Sequence, residues 1–508
     1  MNRWYWLSVL VALCACQPPA DPLQGQSTDA SLILTQCSQT QFPHRGNRKD
    51  FQCGQLAVPE NPANPTGTHI QLNIVRLPAL SQSPRPDPVF VLAGGPGQAS
   101  TEIVSAVSPW MRLINRERDI IFVDQRGTGK SNPLDCGEGE APNYSLSSAE
   151  QEQRQIELLK SCLQNYQANL QYYLTPFAAD DINAVSEALG YQQYNIWGAS
   201  YGTRLGLEIL RRHGDRVRSA VLDSVAPLAN SLPAHMLEDA DRSLQLIIDL
   251  CNAQSQCQQH FPDLEQRLTQ LIKDLNQSPT TITAIHPLKG EKFTVTLDGQ
   301  AFAGLLRLGL YSRELGPTLP LIIDAAAKQN FAPFLTLLGM SEEVSGGISL
   351  GLQFTILCTE DIAQVRNPIN TENSMLQLDN LSAMKTVCGF WPQGSLPENY
   401  YQPISSDVPV LLLSGELDPV TPPRWGDEAA QTLSRHKHIV VPGAHHGSSS
   451  LGCVPDIIDE FYHSVDPQAL DTTCVNDIVA LPPFVTVAGP AMLKNGSHVD
   501  SAVQSNAQ

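Results

Sequence analysis

Residues 193–213 read QYNIWGASYGTRLGLEILRRH. Gln193–Trp197 has the make-up of a short strand, and Gly198-Ala199-Ser200-Tyr201-Gly202 interrupts it with two glycines. From Thr203 to His213, Leu205 and Ile209 stand four apart and Leu207 and Leu210 three apart, the broad apolar stripe of a helix. A Gly-x-Ser-x-Gly turn between strand and helix lifts a serine hydroxyl above the edge of a sheet, with glycines removing steric conflict on both sides. Ser200 is therefore the candidate nucleophile. The bare five-residue pattern also fits a structural turn; the strand before it and the helix after it give it weight.

The same grammar recurs on either side. Val89–Leu92 is a continuous apolar run ending in Ala93-Gly94-Gly95-Pro96-Gly97, and Asp119–Val123 ends in Asp124-Gln125-Arg126-Gly127-Thr128-Gly129. Ser219–Asp223 is a fourth strand. Unbroken apolar strands alternating with helical segments predict a mostly parallel sheet covered by helices on both faces. From 228 to 405 this alternation stops. Leu264, Leu268, Leu271, Ile272 and Leu275 share one helical face, Leu244, Ile247, Ile248 and Leu250 suggest another, and Pro320–Leu338 reads as helical. The expected organisation is a first core segment over 36–227, a mainly helical cap insertion over 228–405, a second core segment over 406–475 from the strand Val408–Leu413, and a tail over 476–508.

Composition narrows the class. The chain has 508 residues, 42% of them hydrophobic, enough for a large core, and its net charge of −19 argues against a nucleic-acid partner, which needs a basic face. Residues 1–16 carry Arg3 ahead of an apolar run from Trp4 to Ala15, too short to span a bilayer, and have the shape of an export signal. Leu13-Cys14-Ala15-Cys16 resembles a bacterial lipoprotein box, which would place a lipid on Cys16 and attach the protein to a membrane; ordinary cleavage nearby is the alternative. Residues 17–35 read as a tether. Setting Cys14 and Cys16 aside leaves ten cysteines, an even number that in an exported chain reads as a disulfide framework. Nearest-neighbour pairing gives Cys37–Cys53, Cys136–Cys162, Cys251–Cys257, Cys358–Cys388 and Cys453–Cys474. Ligand spacing for a structural metal is lacking.

A serine hydroxyl needs a base to take its proton and an acid to orient the base. Downstream of Ser200, Leu413–Pro422 offers Asp418 in a loop after a strand, with Glu416 as its rival and Asp427 expected to face solvent on the next helix. Another strand, His438–Val441, leads to Pro442-Gly443-Ala444-His445-His446-Gly447, where either histidine could serve. The Tyr201 amide, at the start of the helix, and Gly95 in the glycine loop are the candidate oxyanion donors. Asp124, Arg126 and Gly129 are expected to brace the neighbouring loop.

Taken together, Ala93–Gly97, Asp124–Ser131 and Gly198–Gly202 resemble the α/β-hydrolase serine aminopeptidases, the group of the proline iminopeptidases and the secreted tripeptidyl aminopeptidases. The likeness spans roughly 37–475. It implies an α/β-hydrolase fold with a helical cap, no cofactor, and hydrolysis of short peptides from a free amino terminus. It also selects His446 over His445. Ala93 departs from the proline iminopeptidases, which have histidine there, and turns the reading toward the tripeptidyl-like branch. In this family acidic residues near the cap grip the substrate's ammonium; Glu360 and Asp361 are the candidates, pinned by Cys358, and an exposed helix-start pair is the alternative. The rivals are an esterase, since fold does not fix substrate, and a non-catalytic peptide-binding lipoprotein.

Overall fold

The computed structural model describes residues 32–38, 50–136, 143–228, 230–285, 290–338, 347–365 and 374–490. The expected export signal, most of the expected tether, Cys16 as the expected lipid site, and the end of the tail lie outside these residues. Nine strands form the main sheet: β1 (Thr35–Gln36), β2 (Gln52–Pro59), β3 (His69–Leu77), β4 (Val89–Leu92), β5 (Ile120–Val123), β6 (Tyr194–Ala199), β7 (Val217–Asp223), β10 (Val410–Gly415) and β11 (His436–Val441). Their order is β1-β2-β3-β5-β4-β6-β7-β10-β11. The pairings β1–β2, β2–β3 and β3–β5 are antiparallel, and all from β5 to β11 are parallel. The fold is the expected α/β-hydrolase fold, a mostly parallel sheet flanked by helices.

The apolar runs follow from two-sided burial. Along β4, Phe90 and Leu92 point into one core with Ile121, Ile196, Leu205 and Ile209, while Val89 and Val91 point into the other with Phe122, Trp197, Ile457 and Phe461. Helices Thr175–Ala188 and Tyr201–His213 cover the first face and Val454–Ser464 the second. A strand with both faces dry has no position for a polar side chain, so its sequence does not alternate.

Residues beyond 230 build a separate apolar core over the carboxy-terminal ends of the strands. Leu244, Ile247 and Ile248 of helix Leu232–Asn252 pack with Leu264, Leu268, Leu271, Ile272 and Leu275 of helix Leu264–Gln277, and with Phe302 and Phe334. Two details differ from the sequence reading. Within the cap, β8 (Thr280–Ile285) and β9 (Lys292–Leu297) pair antiparallel, a hairpin whose alternating Thr/Ile pattern is the period of a half-exposed strand. The helix expected over Pro320–Leu338 runs only from Leu319 to Ala327, because Gln329 takes a left-handed φ of 63° and Pro333 follows. All five expected disulfides are formed. Among the described residues no helix is long and apolar enough to cross a membrane.

Candidate active site

Ser200 stands between β6 and the helix Tyr201–His213 with φ 56° and ψ −126°, a conformation strained for any side chain but glycine. The turn closes because its flanks lack side chains. A Cβ on Gly198 would lie 2.6 Å from the Gly202 carbonyl oxygen, and one on Gly202 would lie 2.2 Å from that of Leu92. Gly94 abuts the serine itself, its missing Cβ falling 3.1 Å from Ser200 Cβ. The glycine loop and the nucleophile turn therefore touch. Tyr201 is the first residue of its helix, so the helix makes no use of its N–H. Gly95 is exposed in the facing loop at a φ of 108°.

Asp418 and His446 meet at 2.9 Å, carboxylate Oδ2 to imidazole Nδ1. Asp418 is wholly buried, and it also accepts the N–H groups of Val420 and Thr421 and the Thr421 hydroxyl. Burial alone would push its carboxyl up, but His446 and these donors hold it below the ordinary value. For His446, burial alone would lower the pKa; Asp418 and its hydrogen bond reverse this and raise it. The Tyr311 ring packs edge-on against the imidazole at 5.3 Å. The two rivals are elsewhere engaged. Glu416 accepts the Gly443 N–H at 2.8 Å, and His445 is buried with Nδ1 against the Leu310 carbonyl at 2.6 Å. Asp427 is exposed as expected and pairs with His438.

The histidine loop is tied to the nucleophile turn through Asp223 at the end of β7. Its backbone carbonyl accepts the Ser200 N–H at 3.0 Å. Its carboxylate accepts the N–H groups of Ser448 and Ser449 and the Ser449 hydroxyl. Among the described residues Ser200 Oγ makes no hydrogen bond of its own, so the serine–histidine contact is open in this state; such bonds often tighten only around substrate. Asp124 braces its loop by accepting from Asn73, Thr101 and Lys130, and Arg126 forks onto Asp181 at 2.7 Å through two nitrogens. At Gly129, with φ 53°, a Cβ would sit 2.4 Å from the Asp124 carboxylate. Asp223, Thr421 and Tyr311 escaped the sequence reading. A charged residue ending an apolar strand was the available signal for Asp223.

Glu360 and Asp361 require a correction. Both are fully buried, neither an exposed pair nor a free grip for an ammonium. Asp361 is held by Arg204 at 2.9 and 3.2 Å and accepts the Leu232 N–H. Glu360 accepts the N–H and hydroxyl of Thr175 and the hydroxyl of Tyr400. Their oxygens are already satisfied from within the protein.

Comparison with known proteins agrees with the fold. Residues 87–248 match a family described as alpha/beta hydrolase fold, and residues 376–474 one described as TAP-like protein. The chain is 29% identical over 192 residues to a protein named tripeptidyl aminopeptidase from Streptomyces coelicolor, covering 35% of each chain. It is 26% identical over 231 residues to serine protease Hip1 of Mycobacterium bovis, covering 43% of each. It is 32% identical over 240 residues to carboxylesterase B of Mycobacterium tuberculosis, covering 42% of this chain and 45% of that one. The matches thus span less than half the length of these relatives. Ser200 lies inside the first matched segment and Asp418 and His446 inside the second, so the chain carries an α/β-hydrolase-fold region followed by a carboxy-terminal block similar to the TAP-like proteins.

Proposed function

We propose that the protein is an exported serine aminopeptidase that hydrolyses short peptides from their free amino terminus. The observation that carries this reading is the Asp418–His446 pair at 2.9 Å on a loop tied through Asp223 to the Ser200 turn. Ser200 Oγ attacks the peptide carbonyl carbon while His446 Nε2 takes its proton, and Asp418 fixes the tautomer and stabilises the imidazolium. The Tyr201 and Gly95 amides receive the oxyanion. His446 returns the proton to the leaving amine, and water activated by the same histidine then releases the acyl group. The cap over the strand ends favours chain termini over folded proteins. Relatives named tripeptidyl aminopeptidase and serine protease support the peptidase assignment. Five disulfides support export, with Cys16 the proposed site of lipid attachment and short peptides the proposed substrates.

An esterase is the second reading. It is favoured by the relative named carboxylesterase B and by the internal engagement of Glu360 and Asp361, which leaves the free-amine requirement without its expected anchor. The deciding experiment uses wild-type and Ser200→Ala protein on peptide amides with free or acetylated termini and on small esters, with products read by mass spectrometry. Short amino-terminal pieces released only from free termini, and lost in Ser200→Ala, are the expected result. Turnover of esters alone establishes the second reading. Failure to react with a serine-directed fluorophosphonate removes both.

A further inference from the structure

The segment that carries Glu360 and Asp361 reaches from the cap to the first turn of the helix that begins at Tyr201. Residues Leu357–Asp361 form a single wide turn with π-type hydrogen bonding, an arrangement that recurs at functional sites, and the Cys358–Cys388 disulfide ties it to the neighbouring helix Asn380–Cys388. Its two acidic side chains run to the same place by different routes. Asp361 forks onto Arg204, whose Nη2 also donates to the Asn230 carbonyl at 2.6 Å. Arg204 is three residues after Tyr201, on the same turn. Glu360 accepts the Thr175 hydroxyl at 2.7 Å, and the Thr175 oxygen lies 2.7 Å from the hydroxyl of Tyr201, which also accepts from Gln125 at 3.1 Å. The Tyr201 ring is buried in an apolar cluster, and its hydroxyl is held by Thr175 and Gln125.

Burying two carboxylates side by side is costly unless each is answered. Asp361 is answered by a cation. Glu360 is answered by hydroxyls and by the N–H of Thr175 at the start of the helix Thr175–Ala188, whose dipole favours negative charge there. Its carboxyl is nevertheless pushed up to about 7, by burial first and against the pull of Arg204 and the donated hydrogen bonds.

We propose that Glu360 and Asp361 are positioning residues, which hold the Tyr201 amide in register for the oxyanion by clamping the first turn of its helix through Thr175 and Arg204. The inference rests on the serine-hydrolase reading of Ser200 and Tyr201. It replaces the amine-gripping role, and it makes oxyanion stabilisation depend on the seating of the cap segment.

The test compares wild type with Glu360→Gln, which preserves shape, and with Thr175→Val, which deletes the bridging hydroxyl and keeps the Thr175 N–H. Each is assayed on a free-amine peptide, its acetylated form and a small ester, and titrated with a peptide boronic acid, whose tetrahedral adduct carries the oxyanion. Expected are a fall in kcat of roughly 10- to 100-fold on every substrate accepted by wild type, KM within about twofold, and a boronate Ki weakened by the same factor. A lowered folded fraction alone leaves Ki and KM untouched, and that outcome overturns the proposal. So does a KM rise confined to free-amine peptides, which restores the amine grip, or a Thr175→Val variant with wild-type Ki beside an impaired Glu360→Gln. A boronate that fails to inhibit wild type, or turnover persisting in Ser200→Ala, brings down the underlying hydrolase reading and this inference with it.

Discussion

Asp223 and Ser449 are joined twice: the Asp223 carboxylate accepts the Ser449 N–H at 2.7 Å and the Ser449 hydroxyl at 2.6 Å. Because the Asp223 carbonyl also holds the Ser200 N–H, one buried residue sets the distance between the nucleophile turn and the histidine loop. Asp223→Ala leaves the N–H groups of Ser448 and Ser449 without their acceptor, at about 1–3 kcal/mol each. It also lets His446 drift, at about 100-fold in kcat for a displacement near 1 Å. Asp427→Asn, on the exposed partner of His438, serves as the control and should leave both melting and turnover near wild type. Equal kcat in the two variants would remove Asp223 from the positioning scheme.

The choice between Asp418 and Glu416 is open to a direct contrast. Asp418→Asn is expected to lower kcat by about 10⁴, because the wrong tautomer of His446 then faces Ser200. Glu416→Gln keeps an acceptor for the Gly443 N–H and should cost far less. Reversed magnitudes would exchange their roles.

The pH dependence follows from the pair. His446 must be neutral to accept the serine proton, and Asp418 raises its pKa above the ordinary 6.5. kcat/KM should therefore climb through a midpoint above 6.5, and Asp418→Asn should move that midpoint down. Stability has the opposite lean. The raised histidine stabilises fully below its unfolded pKa and loses this as pH rises through the folded value; the depressed aspartate stabilises above its unfolded pKa and loses this as pH falls. The pair should thus contribute most between about pH 4 and about pH 6.5. Urea melts of wild type and Asp418→Asn at pH 5 and pH 8 measure the difference; a larger gap at pH 8 would contradict the assignment.

Gly202→Ala should be among the most damaging small substitutions in the chain. The added methyl meets the backbone oxygen of Leu92 at 2.2 Å, and neither the helix nor β4 can move aside without opening the turn. A loss of at least about 2 kcal/mol is expected, with most of the activity. Wild-type melting of this variant would mean that the turn is looser than its φ of 56° at Ser200 implies.

Cys358→Ser combined with Cys388→Ser opens a loop of 30 residues, with an expected loss of about 3 kcal/mol. Turnover should fall as well, since the freed segment carries Glu360. Identical thermal melting with and without reductant would dismiss a stabilising role for all five bridges.

What could be read from the chain alone was what local chemistry dictates. A strand, a glycine-flanked serine and an amphipathic helix mark the Ser200 turn in the sequence, because the contact between Gly198 and Gly202 is local, although the space Gly202 needs beside Leu92 is set by the sheet. Two-sided burial writes unbroken apolar strands, so the parallel sheet was legible, and short-range cysteine pairing held throughout. The hairpin β8–β9 was missed because six-residue alternation is easily lost in a helical region. Tertiary structure alone decided the fate of the polar pairs. Asp361 meets Arg204 across 157 positions, and Asp223 meets Ser449 across 226. A carboxylate's meaning depends on what answers it once water is excluded, and that partner has no fixed spacing in sequence. The same Glu360 that reads as a free substrate anchor in the chain becomes, once folded, a sealed brace behind Tyr201.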